Sequence, residues 1–116
     1  MPAENRETIC AELRKQIAKL HKEYFGRGPS DINVMIINDV LFITIKDCLS
    51  TMEKRILKFD YGKSEISRLR NDIFSDSGFE ELISETINND IVFVSSEMDY
   101  ANEDCYLFVK CSRVIS

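Results

Sequence analysis

The sequence predicts an α+β domain with the element order αββαααββ, in which two antiparallel β-hairpins form a four-stranded sheet packed with helices. Three observations carry that expectation. An amphipathic stretch of helical period opens the chain. Two segments alternate with period two about short turns. Between them lie three short segments of helical period, one opened by a capping box.

The first helix follows from Ile9, Leu13, Ile17, Leu20 and Tyr24, which recur at steps of three and four with Lys and Glu between them. Gly26-Arg27-Gly28-Pro29 stops it and turns the chain. The first hairpin is VMIINDVLFI, Val34 to Ile43. With Asn38-Asp39 as a two-residue turn of residues that tolerate positive φ, Ile36 faces Leu41, Val34 faces Ile43 and Ile32 faces Ile45. The opposite face pairs Ile37 with Val40, Met35 with Phe42 and Asn33 with Thr44. A one-sided sheet shows polar residues there, and this one shows them only at its far end.

Ser50-Thr51-Met52-Glu53 is the capping box, expected to start a short helix through Lys58. Asp60-Tyr61-Gly62-Lys63 breaks it. Ile66, Leu69, Ile73 and Phe74 mark a third helix, with Ser64 able to cap its start. Ser75-Asp76-Ser77-Gly78 interrupts, and Phe79, Leu82, Ile83 and Ile87 mark a fourth, closed by Asn88-Asn89-Asp90. In the second hairpin Val92, Val94, Leu107 and Val109 are expected to share one face and Phe93, Tyr106 and Phe108 the other, across a loop centred on Asp99-Tyr100-Ala101-Asn102.

Residues 1–116 read as a single domain: apolar residues make 44% and charged residues 30% of the chain, a globular balance. The net charge of −5 disfavours nucleic-acid binding and attachment to anionic lipid. Met1-Pro2-Ala3-Glu4-Asn5-Arg6-Glu7 leads directly into polar helix sequence, so no signal peptide is expected. No apolar run reaches membrane-spanning length, so no membrane insertion is expected. Cys10, Cys48, Cys105 and Cys111 form no CxxC pair and are read as reduced thiols of a cytoplasmic protein, Cys105 buried and Cys111 partly exposed.

No pattern points to an enzyme or to a cofactor. His21 is the only histidine and is expected at the surface or at the margin of the first helix's stripe. The acidic run Glu97 to Asp104 lacks the glycine and ligand rhythm of a calcium loop and reads as a solvated hairpin tip. No phosphate-cradling glycine loop, nucleophile elbow or HExxH pattern occurs. The one basic cluster runs from Lys63 to Arg70, with Arg68 and Arg70 about 200° apart on a helix. Gly62, Lys63, Ser64 and Arg70 make a candidate docking or anion site, because a glycine precedes a helix start with free backbone donors. Arg70 lies at the edge of the buried stripe, where its fork serves either an internal carboxylate or a partner. Both faces of the sheet are apolar, so the second needs a cover. That cover is either the first helix crossing over or a second copy. Met35, Phe42, Phe93 and Phe108 are the expected faces of a homodimer.

The chain resembles the MpsC family of small bacterial proteins, which includes the YbcI type. Gly26-Arg27-Gly28-Pro29, Ile36-Ile37-Asn38-Asp39-Val40-Leu41, Leu49-Ser50-Thr51-Met52-Glu53-Lys54, Gly62-Lys63 with Arg70 downstream, and Val94-Ser95-Ser96-Glu97-Met98-Asp99 carry the resemblance, in that order. The family tends to show a threonine before a proline where this chain has Ser50-Thr51, and Ser-Asp where it has Ser96-Glu97. The resemblance brings no catalytic residues. It implies an accessory protein of a Na+-translocating, membrane-potential-generating system, partnered with a membrane ion-transport complex. Beside it stands a second reading, a regulatory domain that binds a small ligand or anion.

Overall fold

The computed structural model describes residues 2–26, 28–76 and 78–115, with side chains from Arg6 onward. Arg27 of the first turn and Ser77 of the later interruption lie outside the described residues. The elements are α1 (Pro2–Phe25), β1 (Asp31–Ile37), β2 (Val40–Lys46), α2 (Thr51–Ile56), α3 (Gly62–Asp76), α4 (Phe79–Ile87), β3 (Ile91–Asp99) and β4 (Asp104–Cys111). This is the predicted order. The four strands form one antiparallel sheet, β1-β2-β4-β3.

The first hairpin closes in the predicted register: Ile32 opposite Ile45, Val34 opposite Ile43, Ile36 opposite Leu41. Asn38 takes φ 55°, the left-handed conformation such a tight turn needs at its first residue. The turn is also pinned from outside. The amides of Cys111 and Ile115 donate to the carbonyls of Asp39 and Asn38, each at 2.8 Å.

All the helices lie against one sheet face. Ile32, Val34, Leu41, Ile43, Ile45, Cys105, Leu107 and Val109 turn inward and join Leu13, Ile17, Leu20, Ile66, Phe74, Phe79 and Ile83 in a single core. The first helix therefore does not cross to the second face. It packs beside β1 and α4 on the same side as the others.

Three expectations are corrected. Val92 does not share the inner face. A bulge between Ile91 and Phe93 leaves it unpaired and exposed, and Ile91 takes the place opposite Cys111. Tyr24 does not continue the stripe of α1. Steps of four from Leu13 and Ile17 carry the buried line through His21 to Phe25, leaving Tyr24 45% exposed. Cys111 is buried, not partly exposed, because the chain beyond β4 folds back and seats Ile115 in the core.

Candidate functional site

Helix α3 places Ile66, Arg70 and Phe74 on its buried line at steps of four, while Leu69 stays 44% exposed. An arginine thus occupies the centre of an apolar stripe. It is tolerated because three other elements supply acceptors. The capping box at α2 forms as the sequence predicts: the Glu53 amide donates to Ser50 Oγ at 3.2 Å and the Ser50 amide to Glu53 Oε1 at 2.9 Å. Holding Glu53 back toward its own N-cap aims the carboxylate inward, where it is 3% exposed.

Arg70 meets that carboxylate as a fork. Nε donates to Glu53 Oε2 and Nη2 to Glu53 Oε1, both at 2.7 Å. Nη2 also donates to the Cys48 carbonyl at 2.5 Å. Nη1 lies 3.2 Å from His21 Nε2. A guanidinium has no acceptor, so His21 Nε2 must accept, and the imidazole is the neutral tautomer with its proton on Nδ1. The guanidinium stacks 4.0 Å from the Phe25 ring centroid, and His21 sits 4.6 Å from the same ring. Burial alone would raise the Glu53 carboxyl, but the hydrogen bonds from Arg70 and Ser50 outweigh it and hold it below the ordinary range. Burial likewise opposes the charge on Arg70, and Glu53 more than offsets it.

Arg70 and the α3 start do not come together. Arg70 is 2% exposed, with its donors turned into the protein. Gly62 is buried where the α2–α3 corner closes: a Cβ there would lie 2.2 Å from the Ile56 carbonyl oxygen, so only glycine fits. Its amide donates to Phe59 O. Ser64 does not cap the helix, since its hydroxyl donates to the Tyr61 carbonyl within the first turn. Lys63 projects outward, with its ammonium 5.7 Å from the Tyr100 ring centroid. Tyr100 Oη donates to the Lys63 carbonyl at 2.8 Å and lies 2.5 Å from Ser67 Oγ, which ties the β3–β4 loop to α3.

His21 is buried, not at the surface. Period-counting on apolar residues missed it and Arg70 alike, because both interrupt stripes that are otherwise apolar at steps of four. The readable signal is that each of the two stripes carries one polar residue at its centre. Burial pushes the Cys48 thiol up to about 11 and that of Cys105 up to about 12, so both stay protonated near neutral pH. Among the described residues no three His, Cys, Asp or Glu side chains gather as a metal set. The acidic tip is held by its own bonds: Asp99 accepts from the Asn102 amide and side chain.

On the outer sheet face, register brings Met35, Phe42, Phe108 and Ser95 into one row across all four strands. The adjoining row is Ile37, Val40, Lys110 and Phe93. Phe42 and Phe108 touch, with ring centroids 4.7 Å apart, and Tyr106 stacks on Phe42 at 6.1 Å. Met35, Ile37, Phe93 and Phe108 are each between 43% and 58% exposed. Lys110 reaches back to an ion pair with Asp39, so the one cation on these rows is neutralised.

Fold and site together define a class: a small α+β domain with a helix-backed antiparallel sheet, a buried arginine–carboxylate–imidazole cluster and an open apolar sheet face. A family described as the Na+-translocating membrane potential-generating system (MpsC) matches residues 5–110, and the chain belongs to it. It is also similar to the uncharacterized protein YbcI of Bacillus subtilis (strain 168), at 27% identity over 78 residues, 67% of this chain. The match spans 62% of that relative's own length. No solved structure matches. Among the described residues no helix is long and apolar enough to cross a membrane.

Proposed function

We propose that this chain is a non-enzymatic accessory protein of a Na+-translocating, membrane-potential-generating system, acting as a homodimer joined through the outer sheet face and docking on a larger membrane ion-transport complex. The single observation that carries this reading is the open face: the rows through Met35, Phe42 and Phe108 and through Ile37, Val40 and Phe93 are apolar apart from Ser95 and the ion-paired Lys110, and the helices all lie on the other side. Large apolar side chains expose about 100 Å² each when half covered, which gives roughly 500 Å² per protomer from these residues. With their neighbours, two copies face to face reach about 1,000–1,200 Å², the low end of stable interfaces. Area of this order fixes no affinity by itself, so the dimer is tested across a concentration series. Membership of the family supports the wider assignment to the system.

Light scattering across a concentration series tests it. The parent should weigh as a dimer at tens of micromolar, and Phe42→Glu with Phe108→Glu should weigh as a folded monomer. A parent that stays monomeric throughout that range overturns the reading.

A further inference from the structure

The corner between α2 and α3 carries a surface that the dimer face does not use. Met52, Phe59 and Tyr61 are 68%, 56% and 59% exposed. Met52 and the half-buried Ile56 lie a step of four apart on α2, and Phe59 follows in the turn beyond its end. The Phe59 and Tyr61 rings stack at 5.5 Å with planes 13° apart. Such a pair left in water is costly for a globular surface.

The charge around it runs against the rest of the molecule. Between Lys54 and Lys63 stand four cations, Lys54, Arg55, Lys58 and Lys63, against the single carboxylate of Asp60, a local charge of +3. The whole chain carries −5, so the remainder carries −8. Lys54 is taken by Glu103 at 3.1 Å. Arg55 and Lys58 pair with no carboxylate among the described residues and are exposed. The corner is also firm. Gly62 packs against the Ile56 and Leu57 backbone, and the Lys58, Phe59 and Gly62 amides close successive turns on Arg55, Ile56 and Phe59 carbonyls.

We propose that this corner is a peripheral docking surface for an anionic lipid bilayer, with Phe59, Tyr61 and Met52 entering the headgroup layer and Arg55, Lys58 and Lys63 contacting lipid phosphates. Aromatic rings partition to that layer, and long cationic side chains reach from an apolar patch to its charged groups. Exposed aromatic rings flanked by unpaired cations match the layered chemistry of a lipid surface, apolar beneath and anionic above. The attraction rests on Arg55 and Lys58, which are exposed and carry no carboxylate partner among the described residues, while Glu103 already takes Lys54. The binding is peripheral and requires no spanning helix.

Vesicle co-sedimentation of the full chain tests this, with phosphatidylcholine vesicles compared against vesicles containing about one third phosphatidylglycerol as the anionic lipid. The parent should pellet with the anionic vesicles only. Each lost cation should weaken partitioning about fivefold, so Arg55→Gln with Lys58→Gln should lower it about 25-fold. Phe59→Ser with Tyr61→Ser should lower it at least about tenfold by removing the inserted area. All four positions are exposed, so melting should stay that of the parent, and circular dichroism verifies it. Phe42→Glu with Phe108→Glu should still pellet, so failure of the dimer leaves this result standing and the converse holds too. A parent that ignores anionic vesicles overturns the proposal. So do equal binding to neutral vesicles and capture by an acidic protein without vesicle binding.

Discussion

Replacing Arg70 by alanine should be among the most damaging single changes available in this chain. The magnitude follows from what the side chain leaves behind. Removing it strands the Glu53 carboxylate, 3% exposed, without the two 2.7 Å bonds that hold its charge. It also leaves the Cys48 carbonyl without its 2.5 Å donor and His21 Nε2 without the guanidinium. Breaking a buried ion pair from one side costs about 3–5 kcal/mol. A domain of this length has only about 5–15 kcal/mol to lose. At about 4 °C per kcal/mol, the melting temperature should fall by about 12–20 °C. Arg70→Lys should recover little, because one ammonium cannot donate to both Glu53 oxygens, the Cys48 carbonyl and His21 at these angles. Arg70→Met paired with Glu53→Leu should lose less than the sum of the two single changes, since no charge is then stranded. Urea unfolding followed by circular dichroism measures each free energy. If Arg70→Ala melts within about 2 °C of the parent, less than a single kcal/mol in a domain of this size, or if Arg70→Lys restores it fully, the cluster is not the structural hub argued above.

Three further outcomes follow from neighbouring groups. Glu53 is held below its ordinary range in the fold, so its contribution is present above the unfolded value of 4.5 and is lost as pH falls through the folded value. Stability should therefore drop on acidification below about pH 4.5, and Glu53→Gln should flatten that limb; half-buried Asp39, lowered chiefly by its bond from Lys110, loses its contribution only below its own unfolded value of 3.8. Gly62→Ala should destabilise by about 1–3 kcal/mol, read by urea midpoint, because the added methyl meets backbone at 2.2 Å and nothing flexible can move aside; a neutral result would mean the corner yields. In a thiol-labelling time course at mildly alkaline pH, Cys10 should react first and Cys48, Cys105 and Cys111 only as the chain unfolds. Rapid labelling of several thiols in the folded chain would contradict their burial.

How far the sequence could be read depended on which signal each segment carried. The first hairpin was legible to the residue because a two-residue turn at Asn38-Asp39 fixes the register and allows no slip, which two apolar faces alone would not. The capping box was legible because its chemistry is local, four residues that satisfy one another. The bulge at Val92 was not legible. Strict alternation places Val92 and Val94 on one face, and only the pairing of Ile91 with Cys111 shows that one residue is extra. The outward turn of Tyr24 and inward turn of His21 were missed for a related reason. Hydropathy favours the tyrosine, but the acceptor needed by Arg70 decides which residue goes inside. The Glu53–Arg70 fork joins residues 17 positions apart, on two helices whose packing no local pattern specifies. The sequence placed Arg70 at the margin of a stripe, whereas it stands on the buried line itself, and no local pattern could find its carboxylate.

The two sheet faces are energetically separable, and that bears on how the protein can be dissected. Inner-face residues such as Leu41, Ile43, Leu107 and Val109 are wholly buried in the single chain, so shortening any of them opens a cavity and costs about 2–5 kcal/mol of folding. Outer-face residues such as Met35 and Phe108 are already about half exposed, so the chain recovers only part of their burial when it folds. Most of what remains is available to a second surface. Polar replacement at Phe108 should therefore cost folding about 1 kcal/mol or less, the loss of partial burial and of its contact with Phe42, while removing far more from association. The hairpin turn strengthens this separation. It is fixed from the edge by the Cys111 and Ile115 amides and by the seating of Ile115 in the core. The outer rows are thus held in register by backbone and inner-face bonds rather than by their own side chains. A variant with outer-face changes at both Phe42 and Phe108 should retain the parent's melting temperature to within about 5–8 °C, at about 4 °C per kcal/mol. A collapse of the fold instead would show that the aromatic pair, and not the inner core, holds the hairpins together.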